Sequence, residues 1–138
     1  LSIPSAALFY YRNPLGSILY DPAGFVVLNW TDALLTPAEL QSLYSHTLQA
    51  LRHHGTCKLL TNQIARQPLS PAEQKWIIEQ WVPQAIAECA YSHCAIVEST
   101  QAEGHLAARA VGEGVAHHPL EFRYFQQESE ARQWLENT

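Results

Sequence analysis

The sequence predicts an α/β fold: a single mixed β-sheet with antiparallel N-terminal strands and parallel crossovers, covered by about four helices. Three observations lead there. The first thirty residues are short aromatic and aliphatic runs separated by turn compositions. Strand-like runs then give way twice to the same helix opening, Thr36-Pro37-Ala38-Glu39 and Ser70-Pro71-Ala72-Glu73. Beyond the first opening, strand and helix alternate, which demands crossovers and so a largely parallel second half.

At 138 residues and 47% apolar composition the chain is expected to form one domain over its whole length, with a core that needs neither disulfides nor metal. Ala7 to Tyr11 and Ser17 to Tyr20 read as strands around the turn Asn13-Pro14-Leu15-Gly16. Asp21-Pro22-Ala23-Gly24 turns the chain into a third strand, Phe25 to Trp30. At each helix opening a hydroxyl accepts from a free amide, proline forfeits nothing by lacking its own, and glutamate reaches back to the cap. Leu40, Leu43, Tyr44, Thr47, Leu48 and Leu51 form the buried stripe of the first helix, with His46, Gln49 and His53 facing water and Gly55 stopping it.

Cys57 to Thr61 is the next strand and Asn62 to Leu69 a loop. The helix from Pro71 to about Ala90 buries Gln74, Ile77, Ile78, Trp81, Val82, Ala85, Ile86 and Cys89, and Pro83 predicts a kink or break near Glu79 to Pro83. His93 to Glu98 is a buried strand, Ala102 to about Val115 a helix weakened by Gly104, Gly112 and Gly114, Glu121 to Phe125 the last strand. Glu128 to Glu136 is the last helix, burying Ala131, Trp134 and Leu135.

The net charge of −5, with eight scattered Lys and Arg, argues against nucleic acid or an anionic membrane as partner. No apolar run reaches bilayer length, and Leu1 to Ser5 does not resemble a secretion signal. Cys57, Cys89 and Cys94 read as reduced core residues, so the expected location is the cytoplasm. The seven histidines do not show zinc-site spacing, no nucleophile elbow occurs, and no glycine-rich phosphate loop is present. Hence no catalytic residue, metal or cofactor is expected.

Two surfaces are expected to matter. Helical spacing sets Trp76 opposite the core side, with Gln80, Pro83 and Ala87 on successive turns, an apolar strip suited to a protein partner or a second copy of the chain. The alternative cover for that strip is the chain's own Leu1 to Pro4. The second surface is the carboxyl ends of the parallel strands, where ligands favour open sheets, and there Asn62, Gln63, Glu98 and Ser99 suit the binding of a small molecule or lipid. An enzyme is the third reading, with Glu98 and nearby histidines as its acid or base.

From Lys58 onward the residues resemble the SpoIIAA-like branch of the STAS superfamily. The similarity rests on Lys58-Leu59-Leu60-Thr61-Asn62, on Leu69 to Ile77 with its Ser-Pro-x-x-Gln-x-Trp pattern, on Trp81-Val82-Pro83-Gln84-Ala85, on Ala95-Ile96-Val97, and on Phe122 to Phe125 with Glu130 to Leu135. The resemblance implies a STAS-like sheet domain that acts by binding, frequently as a dimer, without enzymatic chemistry. Antagonist relatives have a phosphorylatable Ser at a helix start directly after a strand. Thr61-Asn62-Gln63-Ile64 has none, and Asn62 stands where the branch often has Asp. A phospho-switch is therefore not expected.

Overall fold

Four consecutive buried residues, Phe25 to Leu28, mark a strand covered on both faces, and the sheet is built outward from it. The computed structural model describes residues 7–138. Strands β1 (Leu8–Asn13), β2 (Gly16–Asp21) and β3 (Phe25–Trp30) form an antiparallel meander. Strands β4 (Lys58–Asn62), β5 (His93–Val97) and β6 (Glu121–Phe125) then add in parallel, so the six strands lie in chain order. The predicted mixed sheet is thus the observed one, each strand edge within a residue or two of its expected place.

Helices α1 (Pro37–His54) and α4 (Ala102–Gly114) cover one face together with the segment between them, α2 (Pro71–Trp76), a π-helical turn (Ile77–Trp81) and α3 (Val82–Cys89). The other face is covered by α5 (Glu128–Glu136), which packs Ala131 and Leu135 onto Phe25, Val27, Leu60, Ala95 and Val97. Four helical segments clothe the sheet, as expected.

The two predicted caps differ. Ser70 forms the reciprocal box, its hydroxyl accepting from the Glu73 amide at 3.2 Å while Glu73 accepts from the Ser70 amide at 2.8 Å. At Thr36 the hydroxyl instead donates to the Glu39 carboxylate, at 2.8 Å, and the cap contact from the Glu39 amide is stretched to 3.4 Å. Gly55 ends α1 at φ 63°, a left-handed conformation that suits glycine.

The break expected near Pro83 is a π turn. Val82 donates to the Ile77 carbonyl, five residues back, so one extra residue widens the helix just before the ring that would strike the Glu79 carbonyl. Ile77, Trp81, Val82 and Ala85 stay buried on both sides of it. His46, expected in water, instead stacks on Tyr11 at 3.6 Å, because β1 lies alongside α1.

Candidate functional site

At the end of a strand, successive side chains point to opposite faces, and this alternation divides the residues expected to form one site. Asn62 turns toward the α5 face, where its amide donates to Glu128 at 3.3 Å and its carbonyl oxygen accepts from the Ile64 amide. Gln63 turns inward and is buried under the helix layer. Glu98 and Ser99 follow β5 and remain together. The four residues therefore do not share a site: two line a cleft, one lines an interior chamber, and one is structural.

The cleft, about 400 Å³, opens at the carboxyl ends of β5 and β6 and is lined by Ile64, Glu98, Ser99, Thr100, His105 and Gln126. The Glu98 amide donates to the Phe125 carbonyl at 2.9 Å, which extends the parallel ladder past the strand end and fixes the residue. Its carboxylate, 9% exposed, accepts a two-pronged pair from Arg109, at 2.9 and 3.1 Å, and lies 3.1 Å from His105 Nδ1. His105 and Arg109 are one turn apart on α4, the spacing that puts both on one carboxylate. The bond from Glu98 holds the Arg109 guanidinium above its ordinary pKa, and Arg109 also lies 4.0 Å over the Tyr124 ring.

Ser99 accepts from the Gln101 amide at 3.1 Å and so shapes the entry to α4. A Cβ on Gly104 would stand 2.8 Å from the Ser99 hydroxyl, so glycine is what allows the first turn of α4 to close over the cleft floor. The glycine that weakens the predicted helix thus has a packing reason.

The interior chamber, about 30 Å³, lies between the sheet and the π turn, with α4 closing one side. Arg66, 4% exposed, lines it, with the Trp30 ring 5.1 Å from its guanidinium. Thr61, Gln63, Tyr44, Tyr91 and Cys94 supply the remaining polar groups. Thr61 Oγ1 accepts from the Trp30 indole at 3.0 Å and from the Gln63 amide at 3.3 Å. Burial raises the Cys94 thiol to about 12 and pushes the Tyr44 and Tyr91 phenols upward, so all three are neutral.

Comparison with known proteins gives no match: no family model, no curated protein and no solved structure is similar to this chain. The arrangement of side chains is then the basis for any functional reading.

Trp76 does not stand out from the surface as its helical position predicts. Its indole is half-buried, 6.0 Å edge-on to Tyr44, because α1 packs along that flank of α2. It lines a groove of about 150 Å³ with Pro37, Leu40, Gln41, Ser70, Ala72 and Glu73. Gln80 and Ala87 are exposed and Pro83 half-buried, so the expected strip lies at the surface, with Trp76 contributing only part of its indole to it. Its alternative cover, Leu1 to Pro4, lies outside the described residues.

His105, Arg109 and Arg66 were not singled out by sequence. The signal for the first two was their four-residue spacing on α4. For Arg66 it was a lone cation in a loop flanked by buried strand and helix. Among the described residues no three His, Cys, Asp or Glu side chains converge as metal ligands, and no helix is long and apolar enough to cross a membrane.

Proposed function

We propose that this chain is a noncatalytic binding domain of the SpoIIAA-like STAS kind, which takes a small polar molecule in the cleft at the carboxyl ends of β5 and β6. The supporting observation is the state of Glu98. Both carboxylate oxygens are held by Arg109, with His105 against the same group, so the floor of the cleft is rigid and its one acid is already paired. A base prepared for proton transfer needs a free lone pair toward the substrate. The Ser99 hydroxyl is hydrogen-bonded to the Gln101 amide and not to His105, so no serine–histidine pair of the kind that activates a nucleophile is formed. What remains toward the cleft is hydrogen-bonding capacity from Ser99, Thr100, His105 and Gln126, beside the apolar side chain of Ile64, 43% exposed. Such a lining suits a hydroxyl- or amide-bearing solute. The chamber, with room for about two waters, has no space for an acyl chain, which disfavours the lipid reading.

Titrating the labelled protein with monosaccharides, nucleosides and free amino acids while following backbone amide resonances tests this. One class is expected to shift the amides of Glu98 to Thr100, His105 and Gln126, and Ser99→Leu to abolish the response. Shifts confined to other surfaces, or none from any class, would refute it.

The groove beside Trp76 favours a second reading, a protein partner or second copy that inserts a side chain there and extends along the helix surface over Gln80, Pro83 and Ala87. Light scattering at micromolar concentration decides the self-association part: a wild-type dimer that becomes a monomer in Trp76→Ala supports it, and a strict wild-type monomer removes it. Three free thiols are in keeping with a cytoplasmic setting.

A further inference from the structure

We infer that the chamber between the sheet and the π turn is an anion site, in which Arg66 supplies the charge and Gln63 a hydrogen bond for a small monovalent anion of halide or short-carboxylate size. The reasoning begins with charge. A guanidinium stays protonated even when buried, and a buried cation is tolerated only with compensation. Arg66 takes part in no ion pair among the described residues, and residues 1–6 contain no acidic side chain. Its neighbours are the Tyr44 hydroxyl and the face of Trp30, which solvate the cation without neutralising it. Glu73 acts on it only at a distance, its carboxylate being used at the Ser70 cap.

Gln63 supplies the second observation. Its side chain is 6% exposed, and its Oε1 has no partner. The two ends of an amide have nearly the same shape, so the opposite orientation fits the same space. Then the Thr61 hydroxyl, which accepts from the Trp30 indole, donates to Gln63 Oε1, and the two N–H donors of Gln63 take the unbonded position. Either orientation leaves one end of the amide without a protein partner. In the second, a donor joins Arg66 in lining the chamber, and an anion satisfies both.

Size limits the occupant. A chamber of about 30 Å³ admits about two waters, hence chloride, bromide, formate or acetate, and excludes a phosphate ester or a sugar acid. The site is separate from the cleft: Ile64 lines the cleft, whereas Gln63, Arg66 and Leu69 of the same loop line the chamber. Either site can therefore fail without the other.

The test compares thermal midpoints of the full chain in sodium chloride, bromide, formate and acetate with those in sodium gluconate at equal ionic strength. The midpoint is expected to rise saturably with the small anions over gluconate, and the halide and carboxylate arms tell which kind fits. Bromide is also expected to quench tryptophan fluorescence saturably, since Trp30 borders Arg66. Arg66→Met is expected to lose both responses. Gln63→Leu, which keeps the charge, is expected to weaken anion affinity about ten-fold, and it serves alone if Arg66→Met does not fold. Equal midpoints in all five salts, or a response unchanged in either folded variant, would overturn the inference.

Discussion

Cys94 sits on the face of the sheet that α1 and α4 cover, and burial raises its thiol from 9.0 to about 12. The thiolate is the reactive form, so Cys94 is expected to resist iodoacetamide in the folded protein and to label only as fast as the chain opens, while half-buried Cys57 labels sooner. Mass spectrometry of timed alkylation checks this. The same shift predicts that stability is full below 9.0, the unfolded value, and falls as pH rises toward 12. His54 gives the acid counterpart. Stacked on Tyr20 at 3.9 Å, it is pulled below 6.5, chiefly by burial and then by His53. The unfolded chain therefore takes up that proton first. Stability is complete above 6.5 and declines as pH falls toward the lower folded-state value. Denaturant melts across that range should show a shallower pH slope for His54→Gln.

Among the elements, the helix containing Pro83 was the most legible and the most misleading. Proline announced an interruption, and the interruption is a π turn because one extra residue moves the ring clear of the Glu79 carbonyl while Ile77, Trp81 and Val82 keep the core. Removing the exposed Gln80 should convert the turn to α-helix and drive Pro83 into the Ile78 carbonyl, which then lies four residues before it, at a cost of about 3 kcal/mol. In a Pro83→Ala background the same deletion should be tolerated. A double-mutant cycle by urea denaturation measures the coupling, and additive effects would show that proline is not what the turn accommodates. The strand ends were less legible. Asn62, Gln63, Glu98 and Ser99 are all polar and all follow strands, but alternation sends Asn62 to α5 and Gln63 into the chamber. A one-residue difference in where a strand ends reverses such an assignment, and sequence composition does not resolve strand ends that finely.

Across the whole molecule the two faces are unequal: three helical segments cover one and α5 alone covers the other. Lys58 donates from β4 to the Leu135 carbonyl at 2.8 Å, and Arg132 bridges Asp21 and Glu128 above the Phe25 ring. Those links make α5 part of the fold. Leu135→Ala should cost about 2–5 kcal/mol, because a fully buried side chain is removed where no second helix can move in to fill the space. Urea denaturation monitored by the fluorescence of Trp134, which packs against this core, checks the size. An effect under about 1 kcal/mol would mean the face collapses around the change.

Sequence alone determined what is local in this protein: the turns of the meander, the caps at Thr36 and Ser70, the stop at Gly55, the break before Pro83, and the strand-helix alternation that forces parallel crossovers. Each depends on the conformational preferences of a few adjacent residues. Tertiary structure decided what depends on neighbours distant in the chain. The Trp76 indole is half-buried because α1 lies beside it, Arg109 and His105 meet Glu98 because α4 crosses the end of β5, and Arg66 is enclosed by residues drawn from β3 to β6. Helical periodicity fixes the angle at which a side chain leaves its axis. Packing fixes whether water or another element is waiting there.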